Sequence, residues 1–243
     1  MKPFLLLATR AEDVPADEEY ELFLRYSGLD RRDLVRVRLE AGPMPEIDLD
    51  DFSGIFVGGG PFSASDPDEK KSAVQHRVEA EFGALLDRVV AEDFPFLGAC
   101  YGIGTLGVHQ GAVIDRTHAE PISVVEVSRT VVGADDPLLA GLPDQFTAFV
   151  GHKEAVTVLP PTATLLATSA ACPVQMFRVG QHVYATQFHP ELDVEGITTR
   201  IHAYADYGYF AADEKDLTLE AVRRLPVTHT GSILRRFVER YAQ

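Results

Sequence analysis

The sequence contains only two cysteines, Cys100 and Cys172, among its 243 residues. If Cys100 serves as a nucleophile, no disulfide is expected, which favours a reducing cytoplasm. No apolar run approaches the roughly 20 residues that span a bilayer, so we expect no membrane association. The first residues carry a short apolar stretch but no small-residue cleavage site before Glu12, which predicts a core strand rather than a signal peptide.

Basic side chains are also scarce. The 22 lysines and arginines stand against 37 aspartates and glutamates, which gives a formal net charge of −15. Arginine pairs such as Arg31-Arg32 and Arg223-Arg224 form no larger basic cluster. Because the phosphates of a nucleic acid bind to a basic face, we expect no nucleic-acid partner.

Hydrophobic residues make up 46% of the chain, which suits one large domain or two small ones. In the first hundred residues, short apolar runs alternate with longer segments whose apolar residues recur every three or four positions. This alternation predicts strands and helices in turn, as in a parallel sheet covered on both faces. The predicted strands are Phe4–Ala8, Leu34–Leu39, Ile55–Val57 and Phe94–Leu97, and the predicted helices are Asp17–Leu29 and Asp66–Asp93.

From about Ala112 the pattern changes to short runs of alternating apolar and polar residues, with prolines between them. These runs predict antiparallel strands that extend the sheet or form a second one. The runs are Ile122–Val132, Phe146–Val150, Ala155–Leu159, Thr164–Thr168, Val174–Val179 and His182–Gln187. Helices predicted at Ile197–Tyr209 and Gly231–Tyr241 close the chain. Between them, Asp206–Leu225 is interpreted as a pair of surface helices, in preference to a lid or a docking segment.

The segment Phe94–Gly111 contains the first candidate for chemistry. Gly98 and Gly102 bracket Cys100 in a Gly-x-Cys-x-Gly pattern directly after a predicted strand. This spacing is typical of a nucleophile elbow, a tight turn with no room for side chains two residues to either side. The N-terminus of the following helix is expected to lower the pKa of the thiol. A buried structural cysteine in a glycine-rich turn is the alternative interpretation.

A glycine-rich loop, Gly58-Gly59-Gly60-Pro61, follows the predicted strand Ile55–Val57. Successive glycines leave main-chain N–H groups accessible, so the loop is a candidate donor to an oxyanion hole. A phosphate loop is disfavoured because the Gly-x-x-x-x-Gly-Lys-Ser/Thr pattern is absent, and a simple tight turn remains the alternative. In a parallel sheet this loop and Cys100 both fall at the carboxyl ends of strands, where sites gather.

The third candidate is His189-Pro190-Glu191, which follows the predicted strand His182–Gln187. A histidine at a strand end is well placed to act as a base for a thiol, and the carboxylate can orient its ring. His152, in the sequence Gly-His-Lys-Glu, is the strongest alternative base among the eight histidines. A structural His-Pro-Glu turn is the other interpretation, but three such features in order, each at a strand end, together favour catalysis.

With these motifs the chain resembles the class I, triad-type glutamine amidotransferases, and among them stand-alone domains similar to the amidotransferase part of GMP synthetase. The resemblance rests on the glycine loop, the cysteine elbow, the His-Pro-Glu turn and a strand at Gly151–Val156, and it covers roughly residues 1–192. It implies a flavodoxin-like three-layer α/β/α fold with a mostly parallel central sheet and additional antiparallel strands. We expect one domain over residues 1–243, with a C-terminal helical segment at 193–243.

The resemblance also implies a Cys-His-Glu triad that works through a thioester intermediate. Cys100 would attack the side-chain amide of glutamine, His189 would move the proton, and Glu191 would orient His189. The main-chain amides of Gly60 and Tyr101 would form the oxyanion hole.

Four further residues are implied in substrate binding: Gly59, Gly104, Lys153 and Glu154. The family usually carries glutamine where this chain has Gly104, four residues after the cysteine, and that side chain contacts the substrate. Its absence makes another γ-glutamyl compound a candidate substrate beside glutamine itself.

Three functions are compatible with these residues. The first is an enzyme that releases ammonia from glutamine for an unidentified acceptor, either with a separate synthetase subunit or alone, since the residues after Val194 are too few for a synthetase domain. The second is a hydrolase of γ-glutamyl amines or peptides that uses the same triad. The third is a non-catalytic binding or regulatory homologue. The complete set of triad residues favours the two enzymes, and no metal or cofactor is expected.

Overall fold

The structure of the protein, a computed structural model, describes residues 1–205, 207, 209 and 214–243. At its centre is a nine-stranded mixed sheet, accompanied by a separate two-stranded sheet. The strands are β1 Phe4–Ala8, β2 Leu34–Arg38, β3 Gly54–Val57, β4 Phe96–Ala99, β5 Val113–Asp115, β6 Glu120–Arg129, β7 Gln145–His152, β8 Ala155–Val158, β9 Ala163–Ser169, β10 Met176–Val179 and β11 Val183–Thr186.

In the large sheet the strands follow the order β2-β1-β3-β4-β11-β10-β9-β6-β7. Neighbours from β2 to β11 run parallel, whereas neighbours from β11 to β7 run antiparallel. The parallel half has the strand order of a flavodoxin-like doubly wound sheet. The structure therefore confirms the predicted α/β class, and the later strands extend the same sheet, apart from the antiparallel pair of β5 and β8.

Helices cover both faces of the sheet. They are α1 Asp13–Ser27, α2 Ala73–Ala91, α3 Tyr101–Gln110, α4 Val131–Ala134, α5 Val194–Ala203, α6 Lys215–Arg224 and α7 Gly231–Tyr241. Within the residues that the structure describes, no helix is long and apolar enough to cross a membrane.

Successive residues of β1 show how the two faces are filled. Phe4 belongs to a buried cluster with Phe23 of α1 and Phe237 of α7. The next residue, Leu5, belongs to a different cluster with Phe82 of α2. Because side chains alternate across a strand, one apolar run fills the core on both sides of the sheet, and three layers result.

Local capping explains why one boundary of each of two predicted elements differs from the prediction. Helix α2 begins at Ala73 rather than Asp66, because the Ser72 side chain accepts a hydrogen bond from the main-chain N–H of Gln75. Strand β6 ends at Arg129, because Thr130 caps the short helix α4 in the same way.

The predicted C-terminal helices are partly described. Helix α7 has the predicted bounds, whereas α5 ends at Ala203 rather than Tyr209. Within the predicted surface helix pair Asp206–Leu225, residues 206, 208 and 210–213 lie outside the described residues, and α6 accounts for most of the rest.

Four neighbouring parallel strands, β1, β3, β4 and β11, bring their carboxyl ends to one edge of the sheet. The residues that follow those ends are Thr9-Arg10, Gly58-Gly59-Gly60, Cys100 and Gln187-Phe188-His189. In sheets of this kind ligands bind at that edge, so the fold itself assembles the candidate site.

Candidate active site

Cys100 occupies a strained turn between β4 and α3. Its φ of 53° and ψ of −90° lie in a region that residues with a side chain rarely adopt. Gly98 shows why the turn excludes side chains, since a Cβ there would lie 2.8 Å from the Cα of Gly102. The Cys100 N–H donates to the carbonyl of Thr186 over 2.8 Å, which fixes the turn against the end of β11. The Gly-x-Cys-x-Gly pattern thus forms the predicted elbow, and Cys100 is a partly exposed free thiol.

Gly59 marks the point where three side chains converge. A Cβ on Gly59 would lie 3.5 Å from the Cβ of Cys100, 2.6 Å from Cε1 of His189 and 2.7 Å from Nη2 of Arg10. These side chains follow three different strands, and they leave room for no side chain at this position. Cys100 and His189 also line the same open cavity, whose empty space of about 340 Å³ includes the solvent at its mouth. The structure therefore brings together the thiol and the imidazole that the sequence predicted.

His189 pairs with Glu191, and Arg200 lies against the same ring nitrogen. Nδ1 of His189 is 2.8 Å from Oε1 of Glu191 and 2.9 Å from Nη1 of Arg200. A guanidinium only donates, so Nδ1 can either donate to Glu191 or accept from Arg200, but not both. When Nδ1 donates to Glu191, Nε2 carries the lone pair that a base needs. Glu191 therefore determines which tautomer His189 adopts.

Four charged side chains form a buried chain that ends on this pair. Nη2 of Arg200 donates to Oε1 of both Glu191, at 2.9 Å, and Glu19, at 3.1 Å. Nε of Arg10 donates to the same Glu19 oxygen at 2.9 Å. None of the four side chains is more than 5% exposed. Alternating cations and anions offset the cost of burying these charges and hold the Glu191 carboxylate in place.

Burial changes the proton affinities at the site. It raises the pKa of the Cys100 thiol to about 12, despite the nearby guanidinium groups of Arg10 and Arg200. The direction of the shift is therefore opposite to the one expected from the N-terminus of α3, because burial disfavours the thiolate. Burial also lowers the pKa of His189 to about 4, and the attraction of Glu191 offsets only part of this shift. Near pH 7 the site holds a neutral thiol and a neutral imidazole.

The carboxyl of Glu191 behaves in the opposite way. Its burial favours the neutral acid, but the adjacent His189 and Arg200 outweigh burial and hold the pKa of Glu191 well below its usual range. Glu191 therefore remains a carboxylate that accepts the Nδ1 proton of His189.

Two main-chain N–H groups near the thiol are unused. Within the described residues, neither Gly60 nor Tyr101 donates a main-chain hydrogen bond from its N–H group. Tyr101 is the first residue of α3, and the first N–H groups of a helix have no acceptor inside it. Gly60 lines the cavity that contains Cys100. Free donors of this kind are what a developing oxyanion requires.

Glu154 occupies the space beside Gly104. A Cβ on Gly104 would lie 3.1 Å from Oε1 of Glu154. The Glu154 carboxylate also accepts hydrogen bonds from the main-chain N–H groups of Ala64 and Ser65, each at 2.7 Å. Glu154 thus ties down the loop that follows the glycines and fills the position where a longer side chain at 104 would lie.

Lys153 does not contact this part of the site. It lies in the turn between β7 and β8, and its Nζ is 4.7 Å from the centre of the Tyr209 ring. Partial burial lowers the pKa of the Lys153 ammonium. Its side chain therefore packs on an aromatic ring at the edge of the cavity that contains Cys100.

His152, the alternative base, belongs to a second buried pair. Its Nε2 lies 2.9 Å from Oε2 of Glu120, and its Nδ1 lies 2.8 Å from the carbonyl oxygen of Glu154. Both partners are acceptors, so both ring nitrogens are engaged in hydrogen bonds. His152 is therefore held between Glu120 and Glu154, and it lines neither of the two cavities that contain Cys100.

The same pair belongs to a group of potential metal ligands. Donor atoms of Glu120, His152 and Cys172 all lie within 4.8 Å of one another, and no other such group occurs in the described ranges of the chain. Nε2 of Gln175 also donates to Glu120, at 2.7 Å. Because both ring nitrogens of His152 already face protein oxygen atoms, we interpret this group as a hydrogen-bonded network.

Sequence reasoning missed the two arginines of the site. Arg10 lies two residues after the end of β1. Its position at the carboxyl end of a predicted parallel strand could have marked it as a site residue. Arg200 lies in α5 and is only 4% exposed. A charged residue on the buried face of an amphipathic helix indicates a buried ion pair. The sequence does not show which residue is the partner.

Comparisons with known proteins agree with this geometry. The family profile described as "Glutamine amidotransferase class-I" matches residues 24–202. One subunit of the glutamine-hydrolyzing GMP synthase of Thermoplasma acidophilum is 30% identical over 147 residues, which cover 60% of this chain and 66% of that protein. The corresponding subunit from Thermococcus kodakarensis is 29% identical over 170 residues, which cover 70% and 80%. The GMP synthase of Hamiltonella defensa is 28% identical over 145 residues, but the match spans only 25% of its length. The chain thus spans less than two thirds of the first of these relatives and a quarter of the last.

Solved structures share the fold at lower identity. A glutamine amidotransferase from Thermotoga maritima superimposes with a TM-score of 0.79 at 23% identity, over 99% of this chain and 98% of that one. A glutamine amidotransferase from Methylobacillus flagellatus gives a TM-score of 0.72 at 18% identity, over 100% and 96%. Since the family profile also covers well over half of the sequence, the protein belongs to the class-I glutamine amidotransferase family.

Proposed function

We propose that the protein releases ammonia from the side-chain amide of glutamine through a thioester on Cys100. The observation that carries this proposal is the convergence of Cys100 and His189 at Gly59, with Glu191 hydrogen-bonded to the far side of the ring. A thiol on a strained turn, an imidazole base and an orienting carboxylate are the groups that acyl transfer from an amide requires.

In the first half of the reaction, Sγ of Cys100 attacks the amide carbon while Nε2 of His189 takes the thiol proton. The N–H groups of Gly60 and Tyr101 donate to the tetrahedral oxyanion. His189 then passes the proton to the leaving nitrogen, and ammonia departs. In the second half, water hydrolyses the thioester to glutamate, again with His189 as the base.

Glu191 has a defined part in this sequence. Because the thiol and the imidazole are both neutral near pH 7, attack and proton transfer are coupled. Glu191 keeps the proton of His189 on Nδ1, although Arg200 approaches the same atom. It also stabilises the imidazolium that forms when the ring accepts the thiol proton.

The glutamyl group belongs on the Gly104 side of the thiol. A small cavity of about 160 Å³ there is lined by residues that include Cys100, Gly104, Glu154 and Gln187. Oε1 of Gln187 is buried without a hydrogen-bond partner in the described part of the protein. Together with the Glu154 carboxylate, it offers acceptors to an α-ammonium group. These acceptors take the place of the glutamine side chain that the family carries at position 104.

The names of the relatives suggest the fate of the ammonia. Two of them are named as subunits of a glutamine-hydrolyzing GMP synthase. By this likeness, we propose that a separate synthetase subunit receives the ammonia. A reducing cytoplasm suits such an enzyme, because its nucleophile is a free thiol.

A second candidate function is hydrolysis of γ-glutamyl amines or peptides by the same triad. The observation that favours it is the replacement of the family's glutamine by Gly104, with Glu154 in the vacated space. A changed glutamyl side of the site permits a different γ-glutamyl compound to bind.

Trapping the thioester tests the proposed function. After mixing with glutamine and quenching in acid, the intact mass of the wild type should rise by one γ-glutamyl group, with ammonia released in parallel. Cys100→Ser should give no labile thioester and no ammonia, whereas Cys172→Ser, at the other free thiol, should behave as the wild type. Ammonia release by the Cys100→Ser variant would refute the proposal.

A further inference from the structure

We infer that the cavity on the His189 side of Cys100 holds the leaving amine of the substrate, and that Arg10 recognises a carboxylate on that amine. The substrate class that follows is γ-glutamyl amino acids, cleaved in preference to γ-glutamyl amides with a neutral leaving group. This inference rests on the proposed function, because it requires that Cys100 and His189 cleave a γ-glutamyl amide.

The path of the proton identifies the cavity. His189 gives its proton to the leaving nitrogen, so that nitrogen lies against the His189 ring when the C–N bond breaks. The cavity of about 340 Å³ includes His189, whereas the cavity of about 160 Å³ beside Gly104 does not. Cys100 lines both. Glutamine would release only ammonia on this side, whereas a larger amine would have to extend from the His189 ring toward the open mouth of the cavity.

Arg10 presents one donor without an acceptor to this cavity. The residue is only 4% exposed. Its Nε donates to Glu19, and its Nη1 donates to the hydroxyl of Tyr204 at 3.1 Å. Nη2 has no acceptor within the ranges that the structure describes, and it lies beside Gly59 next to the thiol. A guanidinium N–H without an acceptor is free to bind a ligand, and a carboxylate is the acceptor that a guanidinium binds most strongly.

The remaining walls suit a small amino acid. Arg200 adds a second cation, Tyr204 and Tyr209 add rings and hydroxyl groups, and two isoleucines add apolar surface. The two carboxylates behind this wall, Glu19 and Glu191, are already paired with arginines. The two arginines and two glutamates are formally neutral together, so what they offer a ligand on this side is the N–H of Arg10 that has no acceptor.

For γ-glutamylglycine the reaction balances as follows. Sγ of Cys100 bonds to the γ-carbonyl carbon, and the bond from that carbon to the glycine nitrogen breaks. The thiol proton passes through His189 to the glycine nitrogen, and glycine leaves with its carboxylate on Arg10. Water then hydrolyses the thioester, which gives glutamate and restores the thiol.

A matched pair of substrates tests this inference. γ-Glutamylglycine and γ-glutamylglycinamide differ only in a carboxylate against a neutral amide, and glutamate release gives kcat/KM for each. We expect the wild type to prefer γ-glutamylglycine by about 10- to 100-fold, the usual range for a charge-assisted hydrogen bond. Arg10→Gln should reduce this ratio to within about threefold, because a neutral donor no longer distinguishes the two groups. Arg178→Gln is the control and should keep the wild-type ratio, since Arg178 pairs with Asp136 outside this cavity.

A second variant covers the case in which Arg10→Gln does not fold. Arg10→Gln removes a partner from the buried Glu19 carboxylate. The double variant Arg10→Gln with Glu19→Gln removes both charges, so no new unpaired charge is created. Thermal melting followed by circular dichroism verifies the fold, and the same loss of preference is expected.

Each other outcome has a definite meaning. Equal kcat/KM values for the two substrates in the wild type would overturn the inference. An equal loss for both substrates and for glutamine in Arg10→Gln would also overturn it, since Arg10 would then bind the α-carboxylate of the glutamyl group. Hydrolysis of glutamine without hydrolysis of either γ-glutamyl compound would overturn it and leave the proposed function intact.

Failure of the wild type to hydrolyse any of the three compounds would instead count against the proposed function. Calorimetric titration of Cys100→Ala then decides the carboxylate preference separately. Tighter binding of γ-glutamylglycine than of γ-glutamylglycinamide, by about tenfold, supports the subsite at Arg10, and equal binding refutes it.

Discussion

The molecule contains two buried histidine–glutamate pairs with almost the same geometry. Nδ1 of His189 lies 2.8 Å from Glu191, and Nε2 of His152 lies 2.9 Å from Glu120. The two pairs differ at the other ring nitrogen. Nδ1 of His152 lies against the carbonyl of Glu154, whereas Nε2 of His189 has no hydrogen-bond partner in the described residues.

This difference shows that a short histidine–carboxylate distance does not identify a base. A ring with one N–H engaged and one lone pair free can accept a proton. A ring with both nitrogens against acceptors holds its neighbours together instead. The positions agree with these roles, since His189 follows the parallel strand β11 next to Cys100, and His152 ends β7 in the antiparallel half.

The largest effect that separates the two regions should come from the cysteines. Cys100→Ala removes the nucleophile, and glutamine hydrolysis should fall by at least about 10⁴-fold. Cys172→Ala, beside the second pair, should leave kcat within about twofold of the wild type, because that thiol is buried away from the proposed site. Ammonia release, measured for both variants at equal folded concentration, checks this. Equal losses in the two variants would remove the functional distinction between the regions.

The histidines should give the next largest difference. His189→Gln removes the proposed base, and kcat should fall by about 10²–10⁴-fold with little change in melting temperature. His152→Gln removes the ring that lies between Glu120 and the Glu154 carbonyl, so stability should fall by about 1–3 kcal/mol. Parallel activity assays and denaturant titrations distinguish these effects, and a collapse of kcat in a stable His152→Gln protein would contradict the assignment.

The two glutamates should show a smaller contrast of the same kind. Glu191→Gln removes the anion that competes with Arg200 for Nδ1 of His189. Arg200 can then donate to Nδ1, which moves the ring proton to Nε2, and kcat should fall by about 10²-fold. Glu120→Gln should mainly lower stability. Nitrogen-15 NMR of labelled histidine reads the His189 tautomer directly, and an unchanged Nδ1–H tautomer in Glu191→Gln would refute the explanation.

The smallest expected effect concerns pH. Burial and the cations Arg200 and Arg10 lower the pKa of His189 to about 4, against the attraction of Glu191. If the neutral imidazole is the proposed base, kcat/KM of the wild type should stay level down to about pH 5. Arg200→Met removes a positive charge, so the pKa of His189 should rise and the acid limb should move to higher pH by about one unit.

The matched control for this pH profile is Arg25→Met, which removes an exposed arginine from Asp193. Its acid limb should coincide with that of the wild type. An acid limb that stays in place or moves to lower pH in Arg200→Met would show that Arg200 does not act on His189.

Local pattern was enough to predict the elbow, the glycine loop and the His-Pro-Glu turn. Each is a short motif directly after an apolar strand, and parallel strands bring such ends to one edge. The amphipathic helix α7 has the predicted bounds for a similar reason, because its apolar residues recur at helical spacing.

Contacts between residues far apart in the chain could not be predicted from the sequence. Arg200 and Glu19 are 181 residues apart, and Arg10 and Tyr204 are 194 apart, yet both pairs are hydrogen-bonded in the buried chain of charges. The predicted direction of the shift in the Cys100 pKa was wrong for a related reason. The N-terminus of α3 is visible in the sequence, but the loss of water around Cys100 depends on the whole fold.

The most direct test of the difference between the two pairs is covalent labelling by a diazo-ketone analogue of glutamine, followed by intact mass and peptide mapping. We expect one adduct per chain, located at Cys100 and absent from Cys172, formed by the wild type and His152→Gln and much more slowly by His189→Gln. A folded wild type that remains unlabelled, or labelling of Cys100 at the same rate in His189→Gln, would contradict the claim that Cys100 and His189 act together.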